Sequence, residues 1–171
     1  MANTHAVFQG THCAYWDIDA YTLAGVAETD LDNGTFVTVG DVALKDGSGG
    51  FEVKIAVPAA NATGLWVCRT PEVGTTLDMQ LLADPRNFYN KAGDPVSIAK
   101  IQKDDYITVT APAFATAPTA SLTNVSVNAS GKLVAQAAAP TAGTAFVVAS
   151  ARTISIGLEE VPAWLLKCTN N

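Results

Sequence analysis

Residues 65–110 read LWVCRTPEVGTTLDMQLLADPRNFYNKAGDPVSIAKIQKDDYITVT. Two apolar runs of β-branched and aromatic residues, Leu65–Cys68 and Tyr106–Thr110, predict strands at either end. Between them Leu77–Ala83 carries Leu77, Leu81 and Leu82 at helical spacing and predicts one short helix. Asp84-Pro85 ends it, because a residue before proline avoids helical backbone. Gly93-Asp94-Pro95 marks a turn, and Val96–Ile101 returns as a strand joined to Tyr106–Thr110 through Lys103-Asp104-Asp105. The connection is specific in composition yet holds no catalytic set, so it points to a shaped surface.

On the N-terminal side Thr35–Val39 alternates as a strand behind Asp32-Asn33-Gly34, a turn signal because Asn-Gly accepts positive φ at both central positions. Asp46–Gly50 is a second turn. Phe51–Val57 returns with Phe51, Val53, Ile55 and Val57 on one face, before a loop at Pro58–Thr63. On the C-terminal side Ala111–Ala120 reads as an extended connector. Leu122–Val127 and Lys132–Ala137 form a hairpin around Ala129-Ser130-Gly131, and Ala138–Gly143 is a second connector. Thr144–Gly157 is the longest β-type run, and Val161–Cys168 follows it. The expected fold is mainly β: an antiparallel sandwich or barrel with one short helix, long loops and an N-terminal arm. The expected division is an arm at 1–20, a β-rich core at 21–110, and a C-terminal β segment at 111–171 packed on the core or forming a small subdomain.

Only 15% of the 171 residues are charged and the net charge is −6, against a usual charged share of about 25%. A sheet with so little charge to keep neighbours apart predicts a homo-oligomer. No Lys/Arg cluster offers the basic patch that nucleic acid requires, so no nucleic-acid partner is expected. No apolar stretch approaches the ~18 residues of a membrane span, and the first residues lack a signal-peptide pattern. The chain is expected to be made and folded in a cytoplasm, with Cys13, Cys68 and Cys168 as free thiols and Cys68 in the core. The N-x-Ser/Thr triplets at Asn33, Asn61, Asn124 and Asn128 are then turn and strand residues.

His5, His12 and Cys13 match no zinc spacing, so no metal is expected there. Glu28, Asp30 and Asp32 fail the calcium-loop pattern, since Thr35 stands where its glycine belongs, and they read as a solvated turn. The pairs Asp17/Asp19 and Asp104/Asp105 read as solvated surface. No nucleophile elbow, phosphate loop or dinucleotide fingerprint occurs, so neither an enzyme nor a cofactor is expected. The aromatics stand out instead. Tyr15 and Trp16 are candidate contacts with another subunit, as are Phe88 and Tyr89 if they do not simply pin their loop to the sheet. Trp66 reads as core.

Five segments in order carry a resemblance: Leu31–Asp41 (LDNGTFVTVGD), Thr70–Val73 (TPEV), Asn87–Pro95 (NFYNKAGDP), Ile101–Val109 (IQKDDYITV) and Thr153–Gly157 (TISIG). Together they resemble the small decoration, or cement, proteins of tailed-bacteriophage capsids, most closely over residues 28–110 and more loosely over 144–168. Lys103-Asp104-Asp105 stands where that family has Lys-Gly-Asp, and Val96 follows the turn where the family has a longer polar residue. The resemblance implies a structural virion protein that binds the outside of an expanded head, often as a trimer. Its partner would be the major capsid protein, and its place the capsid exterior. A tail-tube or head-fibre protein would use similar β material, and a carbohydrate-binding module would use Tyr15, Trp16 or Trp66 as a stacking platform.

Overall fold

Three central segments place apolar side chains on both faces of a strand, and that decides the layering. Phe36 and Val37, Val67 and Cys68, and Ile98 and Ala99 are neighbours along the chain and all fully buried. Successive strand residues point to opposite faces, so each pair needs two cores. Val37, Cys68 and Ile98 pack with Ala27, Leu31, Ile55 and Val96 in one cluster. Phe36, Val67 and Ala99 join Leu65, Ile101, Ile107, Val109, Leu133, Phe146 and Leu166 in a second, larger one.

The structure is a computed structural model that describes residues 4–44, 51–72 and 84–171, with backbone alone at 41–44 and 51–53. Its described strands are β1 (Phe8–His12), β2 (Thr22–Ala27), β3 (Phe36–Leu44), β4 (Phe51–Ala56), β5 (Trp66–Cys68), β6 (Pro95–Lys100) and β7 (Tyr106–Thr110). They continue as β8 (Phe114–Thr116), β9 (Asn124–Val127), β10 (Leu133–Gln136), β11 (Ala145–Ile156) and β12 (Glu159–Asn170). A closed barrel runs β2-β4-β3-β5-β6, and a seven-stranded sheet runs β1-β7-β12-β11-β9-β10-β8. The smaller cluster fills the barrel. The larger one lies between barrel and sheet, so one continuous core joins the two.

The β class holds, with departures. The expected helix at Leu77–Ala83 lies outside the described residues. The first twenty residues are not a loose arm: Ala6, Val7 and Phe8 are buried, and β1 pairs antiparallel with β7. The hydrogen bonding cuts across the expected 21–110 and 111–171 division, because β7 pairs with β12 on its other side. Residues 111–120 are more than a connector. Phe114 is buried, and β8 pairs in parallel with β10. In β4, Ile55 faces the barrel, whereas Val57 falls past the strand end and is 39% exposed.

One turn and the last residue tie distant segments together. Gly131, at the tip of the β9–β10 hairpin, has φ +73, and its carbonyl accepts a hydrogen bond from Phe36 N at 2.9 Å. Asn171 Nδ2 donates to Leu65 O at 3.0 Å and Ile101 O at 2.6 Å, while Asn171 Oδ1 accepts from Leu65 N. At the turn between β6 and β7, Asp104 takes a left-handed φ of +72, and its carboxylate meets Lys167 Nζ at 2.7 Å. Asp tolerates that conformation because its short polar side chain finds local partners.

The β11–β12 hairpin outruns its neighbours. β9 pairs only with Ala145–Val147 of β11, and β7 only with Ala163–Lys167 of β12. Only the last four pairs, from Thr153↔Pro162 to Ile156↔Glu159, extend past both neighbours, to a tip at Gly157-Leu158. The Leu158 side chain is fully exposed there.

Candidate functional site

The three motif segments at Asn33, Thr70 and Asn90 meet in space. Asn33 is 2% exposed, and its amide works as a strand partner for Thr70: Nδ2 donates to Thr70 O at 2.8 Å and Oδ1 accepts from Thr70 N at 3.0 Å. Asn90 Nδ2 donates to Leu31 O at 3.0 Å and to Asn33 Oδ1 at 3.3 Å. Thr70 Oγ1 accepts from Ser97 N, and Asp30 Oδ1 accepts from Ala92 N. The Asp32–Thr35 turn closes with Thr35 N donating to Asp32 O. Only Gly34 has positive φ, at +86, so this is not the doubly left-handed hairpin turn expected from Asn-Gly. The Asn33 side chain, engaged across the chain, selects the other geometry.

Beside this network lies a cavity of about 440 Å³ lined by β1, by Tyr15 and Trp16, and by Asn33 and Arg69–Glu72. Asp105, outside the lining, holds the Tyr15-Trp16 wall in place. Its Oδ1 accepts from Ala14 N at 3.0 Å and its Oδ2 from Gln102 N at 2.7 Å. That fixes a one-turn 3-10 segment, Ala14–Trp16, against the β6–β7 turn. Asp105 is therefore 6% exposed, not the solvated carboxylate its sequence context suggested. The turn sets its two aromatics side by side, with centroids 5.5 Å apart, Tyr15 at 4% exposure and Trp16 at 62%. The Arg69 guanidinium stacks 4.7 Å from the Tyr15 centroid and 5.4 Å from the Trp16 centroid. Gly10 forms the floor, where a Cβ would stand 1.8 Å from the Tyr15 hydroxyl and 3.2 Å from Trp16 Nε1. Glu72 is exposed as a residue, yet partial burial of its carboxyl raises its pKa, with the Asn33 amide pulling the other way. Burial also raises the Tyr15 hydroxyl.

Tyr15 is thus a wall of the cavity and Trp16 its open rim. Phe88 and Tyr89 do not join them in its lining. Both are half-buried, and Tyr89 stacks on His5 with centroids 4.8 Å apart. His5 also sits 2.6 Å from Asp32 and donates its backbone N–H to Arg86 O. Arg86 in turn grips Asp84 and reaches Glu159 at 2.5 Å, tying this loop to the hairpin tip. Glu28 and Asp30 are exposed, as the sequence suggested, whereas Asp32 is half-buried beside His5. Trp66 is half-buried against the barrel core.

His5 and Cys13 serve packing: Cys13 is buried with Sγ donating to Tyr106 O at 3.1 Å. Among the described residues no three His, Cys, Asp or Glu side chains converge as metal ligands. All three thiols are free and buried. Burial foremost, then the Asp105 charge, pushes Cys13 up to about 11, and burial pushes Cys68 and Cys168 up to about 12.

Gly10, Asn33, Arg69, Glu72 and Asp105 were missed as site residues. Asn33, Glu72 and Asp105 lay in segments the sequence had singled out, but as turn or motif residues with no chemistry attached. No known protein family model matches the chain, and no curated protein matches it either.

Proposed function

We propose that this chain is a structural virion protein: a decoration protein that binds the outer surface of a tailed-phage head and clamps neighbouring capsid subunits, acting as a homo-oligomer, with a trimer favoured. The observation that supports this most is the Asn33–Thr70–Asn90 network. Three motif segments that carry the resemblance, up to 57 positions apart, form one bonded unit. The similarity therefore attaches to a three-dimensional platform. The β11–β12 hairpin suits the clamping role, because it projects past the sheet and ends in the exposed Leu158. Phe88 and Tyr89 sit in the loop that Arg86 ties to its tip. Many copies on one shell convert weak individual contacts into firm attachment.

Sedimentation with expanded, empty heads of the cognate phage tests this. The wild-type chain should pellet with the heads at saturating, countable occupancy. Leu158→Asp should stay in the supernatant while keeping wild-type thermal stability, since a fully exposed side chain contributes almost nothing to the fold. A wild-type chain that remains in the supernatant removes the decoration reading, and tubes or stacked rings formed by the protein alone would indicate a tail-tube component.

A further inference from the structure

We propose that the cavity between β1, the Tyr15-Trp16 turn and Arg69–Glu72 is a binding site for a neutral saccharide. The shape comes first. About 440 Å³ lies within the ~300–1,000 Å³ of small-ligand clefts, whereas a protein partner usually meets a flatter surface. The walls are preformed, because Asp105 fixes the turn from its buried position and Asn33 fixes Thr70. A Cβ at Gly10 would collide with the Tyr15 hydroxyl, so the glycine lets Tyr15 seat as a wall of the cavity.

The chemistry is amphipathic in the way a pyranose is. Trp16 presents an indole whose negative π-face attracts the polarised C–H groups of a sugar ring. Arg69 and Glu72 offer planar donors and acceptors at the same cavity, suited to pairs of vicinal hydroxyls. Among the described residues no carboxylate forms an ion pair with Arg69, although it is held face-on by two rings. One of its donors lies within hydrogen-bonding reach of the Tyr15 hydroxyl, and its side chain lines the cavity.

Charge selects among ligands. One arginine faces one glutamate on a chain of net charge −6. A nucleotide or polyanion would bring phosphates to a site with a single cation, so the stacking surface is not explained by nucleic acid. A neutral sugar has no such conflict.

The inference stands apart from the capsid reading, and its test uses no capsids. The indole N–H signals of Trp16, Trp66 and Trp164 are followed by NMR during titration with glucose, galactose, mannose, N-acetylglucosamine and, separately, glucuronate. At least one neutral sugar should shift the Trp16 signal saturably with a Kd on the order of 1 mM, leaving Trp66 and Trp164 in place. Arg69→Ala should weaken that sugar at least about tenfold, or about 1.4 kcal/mol. Trp16→Ala, read by backbone amides of Gln9 and Gly10, should abolish the shift while the Trp66 and Trp164 signals report an intact fold. No saturable shift with any neutral sugar up to about 0.1 M, a hundredfold above that Kd, overturns the proposal. So does an affinity unchanged in Arg69→Ala, or binding of glucuronate alone.

Discussion

Gly131→Ala is expected to lower stability by about 3 kcal/mol or more, from two additive sources. Residue 131 has φ +73, a left-handed conformation that costs an L-residue ~1–2 kcal/mol. A Cβ there would also stand 2.3 Å from Phe36 O and 2.8 Å from Thr35 Cγ2. Backbone cannot rotate out of the way, so the hairpin tip must retreat and its hydrogen bond from Phe36 N is lost. Overpacking of this kind costs ~1–3 kcal/mol. Phe36 is fully buried and packs on Phe146 with centroids 5.3 Å apart, so the displacement reaches the core between barrel and sheet. Chemical denaturation with unchanged m-value and a lower midpoint measures it. Gly157→Ala is the matched control: its φ is +61, but a Cβ meets nothing within 4 Å. Only the smaller conformational loss should appear there.

Asn33→Ala should cost about 3 kcal/mol by a different route. It removes three hydrogen bonds to Thr70 and Asn90 and strands the Thr70 N–H and C=O beside a buried site. Each lost bond is worth ~0.5–1.5 kcal/mol, and each stranded buried group adds a desolvation penalty of ~1–3 kcal/mol. Solvent entry through the adjacent cavity offsets part of that sum. Asn33→Asp should do little better, since a second carboxylate oxygen would face Thr70 O in place of the donor Nδ2. The local consequence is specific: Arg69 and Glu72 flank Thr70, so the Trp16 indole signal should shift in both variants.

These residues also show what can be read from a sequence. The long strands were legible because their patterns are local: residues 144–157 predicted β11, which runs Ala145–Ile156, and the hairpin at 122–137 became β9 and β10. The runs at Leu65–Cys68 and Val96–Ile101 read as strands, and burial on both faces is the physical reason the first lacks alternation. β1 was not legible. FQGTH is an edge strand with only Phe8 buried, so its polar residues hide the pairing. β8 has three residues and depends on β10 for its existence. The cavity was illegible for a stronger reason: Gly10, Trp16, Asn33, Arg69 and Glu72 come from separate segments whose approach is set by tertiary pairing. Asp105 had no local signature of burial, because its partners Ala14 and Gln102 are backbone groups. The Asn-Gly signal located a turn correctly, but its type was decided by Thr70, 37 positions away.

The clamping claim is tested most directly by heating expanded heads with and without saturating wild-type protein and scoring shell rupture by electron microscopy. Decorated heads should remain intact to a higher temperature than bare ones, and heads mixed with Leu158→Asp should rupture with the bare shells. Rupture at one temperature for bare and fully occupied heads would contradict the account, as would protein located on tails and not on the shell.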